Sequence, residues 1–174
     1  MDRFCMEGSE GCSQEDILLE TRDMEGLGLQ LELPSGFGPM GEERQERLYP
    51  WEERPAILWE NGAVQLAGQL TGQEMDSGQT WQAAWALQEM AGELFPEYER
   101  SPAYLDERGG LPVGWFRMSM AEREEEHIKA VCAAGGKMVL VTFTYPAGAA
   151  LQWRSIIRHS FGTWREMDGA DQRG

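Results

Sequence analysis

The chain has 174 residues, which favours a single domain, and its 41% of apolar residues can bury a core, which excludes a wholly disordered protein. Thirty Asp and Glu against fifteen Lys and Arg give a formal charge of −15. Because nucleic acids and anionic membranes are bound through neutralisation by Lys and Arg, we expect neither as a partner.

The two ends of the chain are predicted to be loose. Residues 1–25 carry eight acids and two arginines with few large apolar side chains, which predicts an acidic mobile arm. Residues 26–164 are predicted to form a single α+β domain, and residues 165–174 a loose tail. The N-terminus has no basic segment followed by an apolar one, so we read it as lacking a secretory signal and expect a cytoplasmic protein.

Alternating side chains and turn residues predict strands in the first half of the chain. Leucines alternate with polar residues over 29–33, which is typical of a half-buried strand, and residues 41–48 predict a short exposed helix. Residues 56–59 and 63–70 predict a hairpin around Asn61-Gly62. If residues 56–59 lie at the edge of the sheet they can pair with a second copy, so the protein is either a monomer or a homodimer.

The clearest helix is predicted over residues 79–95, and Pro96 ends it. Apolar residues recur along it at steps of three and four: Trp81, Ala84, Trp85, Leu87, Ala91 and Leu94. Trp81 and Trp85 are either a platform for a ligand or part of a packed core. Because aromatic side chains serve mainly to bury large areas, we favour the core.

Three strands are predicted in the second half. Residues 127–133 and 137–145 are predicted to pair as a hairpin, and residues 111–120 and 137–145 carry large side chains on both faces, which indicates central strands covered on both sides. The hairpin also accounts for the least polar window of the chain, since Gly135-Gly136 interrupts that window, and no membrane span is predicted. The charge run Glu122–Glu126 is interpreted as a solvated turn rather than a binding patch.

A last helix is predicted over residues 149–160, with Arg154 and Arg158 at i, i+4 on the side away from its apolar stripe. The full order is strand, short helix, two strands, long helix, three strands and helix. This order favours an α+β fold with a mainly antiparallel sheet and helices on both of its faces.

Several stretches share strand, turn and helix signals with a known family: Leu29–Phe37, Leu94-Phe95-Pro96, Leu111–Phe116, Val139–Thr144 and Ile156–Phe161. On these residues the chain resembles the PsbP-like group, which includes the Ran-binding Mog proteins and bacterial DcrB-type domains, over about residues 27–164. The resemblance implies a small α/β/α sandwich without a shared catalytic constellation, which acts mostly by binding other proteins. We expect the chain to differ from secreted or lipid-anchored members by lacking their leader, and from the family by a longer stretch at 38–55.

The sequence shows no catalytic constellation. Cys132 lies in an apolar run and is interpreted as a small buried hydrophobic residue, and no cysteine spacing suits zinc. His127 lies next to three glutamates, which predicts a raised pKa, and His159 lies at a helix C-terminus, where the helix dipole stabilises its charge. Neither has a matched nucleophile, and no phosphate-binding glycine loop or calcium loop is present. We therefore expect no catalytic residue, no metal site and no cofactor.

One segment is a candidate interface. It is aromatic and charged and lies between two prolines in a predicted loop: Tyr49, Trp51, Glu52, Glu53 and Arg54. Trp, Tyr and Arg are favoured as interface anchors, and loops carry function more often than cores do. The alternative is that Trp51 folds back to cover the sheet, which we favour slightly because seven tryptophans must mostly be buried. Arg54 can also pair with a neighbouring glutamate.

The function that fits these observations is a non-catalytic module that binds another protein, such as an adaptor, chaperone or immunity-type partner of a basic protein. Two alternatives stay open. One is an enzyme with an acid-lined site that holds a divalent metal. The other is an acidic mimic of nucleic acid that blocks a DNA-binding protein.

Overall fold

The computed structural model describes residues 3–4, 17–51 and 53–167, which form two antiparallel sheets and three α-helices. The strands are β1 (Arg3–Phe4), β2 (Ile17–Met24), β3 (Leu29–Pro34), β4 (Gly38–Pro39), β5 (Ile57–Asn61), β6 (Val64–Glu74), β7 (Glu99–Arg100), β8 (Tyr104–Asp106), β9 (Val113–Ser119), β10 (Glu125–Ala134), β11 (Lys137–Pro146) and β12 (Arg165–Glu166). The helices are α1 (Glu42–Leu48), α2 (Thr80–Leu94) and α3 (Ala150–Phe161).

The large sheet has the order β4-β5-β6-β11-β10-β9-β7, and β8 also pairs with β9. Its centre is the β10–β11 hairpin, which turns at Gly135-Gly136 with φ of 61° and 77°. A two-residue turn of this kind needs positive φ at both positions, which glycine adopts without a steric cost. The predicted central hairpin is therefore confirmed.

The two faces of the large sheet are covered by different elements. Val131, Ala133 and Met138 pack against α2 on one face. On the other face, side chains such as Val141 and Phe143 pack against α3 and against the small sheet β1-β2-β3-β12. The predicted α+β class, with a mainly antiparallel sheet and helices on both faces, is confirmed.

The packed region is longer at both ends than predicted. Residues 17–24, placed by sequence in the mobile arm, form β2, whose Leu19 and Met24 are buried against β3. The acids of β2 point outward between these buried side chains, so its composition is that of a loose segment although it pairs as a strand. At the other end, Arg165–Glu166 pairs with β3 as β12. The remaining residues of the predicted arm and tail (1–2, 5–16 and 168–174) lie outside the described residues.

The predicted strand at 56–59 is β5, and it does not lie at the edge of the sheet. Gly38 and Pro39 pair with it as β4, and the Met40 amide donates a hydrogen bond to the carbonyl of Leu58. Pairing of two copies through this part of β5 is therefore blocked by the chain itself. A pair of residues as short as Gly38-Pro39 gives no alternation signal, which is why sequence reasoning missed it.

Candidate functional site

The candidate interface segment Tyr49–Arg54 follows α1. Tyr49 is half-buried, which raises the pKa of its phenol, and its ring meets the Trp51 ring edge-on at 6.1 Å between centroids. Trp51 is 62% exposed. The expectation that Trp51 covers the sheet is wrong, because most of its surface is open to solvent.

The other members of the segment are charged. The Arg54 guanidinium lies 3.4 Å from the Gln45 amide oxygen and 3.7 Å from the Glu42 carboxylate, so Arg54 does pair with a neighbouring glutamate. Glu53 is exposed, and Glu52 lies outside the described residues. The segment is thus tied to α1 through Arg54, and it presents Trp51 to solvent.

A second exposed aromatic surface lies on α2. Of the predicted apolar stripe, Ala84 and Ala91 are buried, whereas Trp81 is 44%, Trp85 49% and Leu94 62% exposed. The prediction that the tryptophan pair belongs to the core is wrong. The large exposed apolar side chains lie on both flanks of the helix and at its end, and we call them together the α2 outer surface: Trp81, Trp85, Met90, Leu94 and Phe95.

The reason for this orientation is a close contact between α2 and β9. A Cβ atom added to Gly114 would lie 2.8 Å from both the Ala84 Cβ and the Thr80 carbonyl oxygen. Glycine and alanine at this contact bring the two backbones together, so the helix is seated on its small residues and its large ones turn outward. A periodic pattern of apolar residues does not distinguish these two sides.

The third surface is a cleft of about 270 Å³ between α3 and strands β9 and β10. Three arginines line it together with apolar side chains and one hydroxyl: Trp115, Arg117, Ile128, Leu151, Arg154, Ser155 and Arg158. We call it the arginine cleft. The sequence placed Arg154 and Arg158 together on one side of the last helix, but Arg117 reaches them only through the packing of α3 on β9.

Glu126 anchors this cleft. Its carboxylate accepts hydrogen bonds from Arg154 Nε (2.6 Å), Arg154 Nη2 (2.7 Å) and Tyr145 Oη (2.6 Å), and Arg117 Nε lies 3.5 Å away. Burial alone would raise the pKa of Glu126, but the bonds from Arg154 and Tyr145 and the two arginine charges outweigh it, and the pKa is lowered. The interpretation of Glu122–Glu126 as a solvated turn is wrong at its last two residues, because Glu125 and Glu126 lie in β10 and the Glu126 side chain is 5% exposed.

Of the titratable residues singled out from the sequence, His127 differs from the expectation, whereas Cys132 and His159 lie where they were predicted. Burial, followed by the charges of Lys129 and Arg123, lowers the pKa of His127 to about 4, which overturns the predicted rise. Its Nδ1 lies 2.9 Å from the Thr144 hydroxyl. Cys132 is buried as predicted, and this burial raises the pKa of its thiol. His159 lies in the last turn of α3, as predicted.

Two further observations concern the possibility of a metal site and of a helix that crosses a membrane. Over residues 17–51 and 53–167, no three His, Cys, Asp or Glu side chains are grouped so that they could hold a metal ion. In the same part of the chain, no helix combines the length and the hydropathy that a bilayer crossing requires.

The fold is similar to that of cyanobacterial PsbP (CyanoP) from Synechocystis sp. PCC 6803, with a TM-score of 0.57 and 10% sequence identity. The match covers 92% of this chain and 98% of that one. A structure from Bacteroides thetaiotaomicron matches over 82% of this chain and 46% of its own, with 12% sequence identity. Its TM-score of 0.44 is too low to establish a shared fold. No protein-family model and no curated protein matches the sequence. The predicted resemblance to the PsbP fold is confirmed, and the wider resemblance to Mog and DcrB-type domains stays a prediction.

Proposed function

We propose that this chain, which has a PsbP-like fold, is a non-catalytic module that binds a basic protein. The observation that carries the proposal is the α2 outer surface, where five large apolar side chains are exposed on one helix and its end. Large apolar side chains exposed together, with acidic residues around them, are typical of protein interaction sites. Tryptophan is also among the residues that contribute most to binding at such sites.

The charge of this surface supports a basic partner. Between Thr80 and Tyr98 the charged residues are Glu89, Glu93 and Glu97, and no lysine or arginine occurs. Arg100, just beyond, donates to the backbone carbonyl and the side-chain oxygen of Gln88 at the side of the helix. Acidic side chains between exposed apolar ones attract a cationic partner over long range, and the apolar contacts then hold that partner.

The segment Tyr49–Arg54 can take part in the same interface. Arg44 of α1 donates to Glu60 at 2.8 Å, and Glu60 points to the face opposite to that of its neighbour Trp59, which belongs to the core shared with α3. Helix α1 therefore lies over the same face of the large sheet as α2. A partner that covers this face reaches both Trp51 and the tryptophans of α2.

The test begins with a photo-crosslinking amino acid in place of Met90, which is exposed on α2. The same replacement at Leu18, exposed on β2 of the small sheet that covers the opposite face, is the matched control. We expect the Met90 probe to capture a basic protein that the Leu18 probe does not. The captured protein is then purified, and its affinity is measured with wild type, Trp85→Ala and Leu18→Ala.

For an anchor residue we expect Trp85→Ala to lose about 2 kcal/mol of binding free energy, which is roughly thirtyfold in Kd. Leu18→Ala should bind like wild type, and the association rate should fall as salt is added. Equal affinity of wild type and Trp85→Ala, or an acidic captured partner, would contradict the proposal. A cytoplasmic location, and a role as adaptor, chaperone or immunity-type partner, belong to the same proposal and depend on the identity of that protein.

A further inference from the structure

The arginine cleft concentrates positive charge in a protein whose net charge is −15. Arg117, Arg154 and Arg158 line it, and Glu126 is the one carboxylate within 4 Å of any of them among the described residues. Nearby, Asp106 is bound by Arg108 at 2.6 Å, so that pair adds no net charge. Two positive charges are therefore left over inside the cleft.

The arginines keep donors that the described residues do not use. Arg154 donates to Glu126 through Nε and Nη2, so the N–H groups of Nη1 are available to a ligand. Arg117 Nε lies 3.5 Å from the Glu126 carboxylate, which is beyond the usual length of a hydrogen bond. The Arg158 guanidinium lies 5.7 Å from the centre of the Trp115 ring, a cation–π distance, and has no carboxylate within 4 Å in the described part of the chain. These planar groups suit an acceptor with two oxygens, since guanidinium binds such groups through paired N–H bonds.

The rest of the lining is apolar. Trp115 and Ile128 form the inner wall, and Leu151 is largely exposed at the rim. The volume of about 270 Å³ lies just below the range of roughly 300–1,000 Å³ typical of sites for drug-sized ligands. A small molecule that carries an anionic group on an aromatic or aliphatic body matches both halves of this lining.

We infer that the arginine cleft binds a monocarboxylate whose carboxylate is attached to an aromatic or aliphatic group. A carboxylate is preferred to a phosphate because its two oxygens match the paired N–H bonds of one guanidinium, whereas a phosphate monoester brings a third oxygen and a second charge that the apolar part of the lining would desolvate without a partner. Such a group is found in free organic acids and at the C-terminal residue of a polypeptide. The site lies on the opposite face of the sheet from the α2 outer surface. Carboxylate binding in the cleft and protein binding at the α2 outer surface are therefore independent proposals, and evidence against one does not count against the other.

The test is a titration of the full chain with 3-phenylpropionate at low ionic strength. Binding is monitored through the NMR signals of the ¹⁵N-labelled indole groups. The Trp115 signal is assigned with Trp115→Phe. We expect a saturable shift of this signal, and no saturable shift with the neutral 3-phenylpropionamide. Phenyl phosphate should bind more weakly than the carboxylate.

Two variants locate the site. Arg158→Gln removes an exposed guanidinium and should weaken binding of 3-phenylpropionate about tenfold, the effect of losing one charge-assisted hydrogen bond. Arg44→Gln is the control, because Arg44 bonds to Glu60 on the opposite face, and it should bind within about twofold of wild type. Unchanged affinity in Arg158→Gln, equal binding of the amide, tighter binding of phenyl phosphate, or no saturable shift would each overturn the inference.

A second pair of probes distinguishes the two sources of the carboxylate. A tetrapeptide that ends in phenylalanine is compared as free acid and as C-terminal amide. Binding of the free-acid peptide at least as tight as that of 3-phenylpropionate identifies a polypeptide C-terminus as the ligand. Binding of 3-phenylpropionate alone identifies a free organic acid.

Discussion

Replacing Glu126 by Gln tests whether the buried carboxylate holds α3 to the large sheet. The substitution keeps the size of the side chain and removes its charge. A glutamine oxygen can still accept one hydrogen bond, but its amide group then faces a second donor, because Arg154 Nε, Arg154 Nη2 and Tyr145 Oη all point at the present carboxylate. At least one strong hydrogen bond is lost and a donor is left facing another donor.

The expected cost follows from the burial of the two partners. Removing one member of a buried ion pair costs about 3–5 kcal/mol, and a hydrogen bond to a charged group contributes about 1.5–3 kcal/mol. The Glu126 side chain is 5% exposed but that of Arg154 is 35% exposed, so water can hydrate the arginine once its partner is gone. We therefore expect Glu126→Gln to lower the free energy of unfolding by about 2–3 kcal/mol at pH 7.

The measurement is urea unfolding at pH 7, monitored by far-ultraviolet circular dichroism. Tyr145→Phe is the control: it removes the 2.6 Å bond from the phenol but leaves the charge pair intact, and should cost about 1 kcal/mol. Because the pKa of Glu126 is lowered by folding, its stabilisation is present above the unfolded pKa of about 4.5 and is lost as the pH falls below it, and Glu126→Gln should lack this loss. A variant with the same urea midpoint as wild type, or a higher one, would refute the reasoning.

Three further predictions concern the packing and the buried titratable groups. Gly114→Ala should destabilise the protein by about 1–3 kcal/mol because its Cβ overlaps Ala84 and Thr80, whereas Gly148→Ala, which meets nothing within 4 Å, should unfold at nearly the wild-type urea concentration. Since folding lowers the pKa of His127 from 6.5 to about 4, wild type should lose about 2–3 kcal/mol of stability between pH 7 and pH 4.5 that His127→Gln does not lose. Parallel pH profiles of the two proteins would contradict this. Cys132 should not react with a thiol reagent in folded protein that carries Cys5→Ser and Cys12→Ser, but should react in urea; equal rates in both conditions would argue against its burial.

Local signals along the chain were sufficient for the elements whose stability is local. The turns at Gly62 and at Gly135-Gly136 were found because each needs positive φ, which glycine supplies, although the first turn consists of Gly62 and Ala63 and so lies one residue later than predicted. Pro96 marks the end of α2 because proline cannot continue a helix. The alternation in the strands of the large sheet was read directly from period-2 patterns. From these the α+β class, the central hairpin and the helices on both faces followed.

The residues that make up the proposed sites were decided by tertiary contacts. Whether the tryptophans of α2 turn inward or outward depends on how closely Gly114 lets the helix approach β9, and Gly114 lies twenty residues beyond the end of that helix. Likewise, Arg117, Glu126 and Arg154 meet only because β9 pairs with β10 and α3 crosses both, and in the sequence Glu126 is one member of a charge run. Composition and periodicity specify which residue types a strand or helix carries, whereas the burial of an individual charge depends on partners that are distant in the chain, and only the folded structure brings those together.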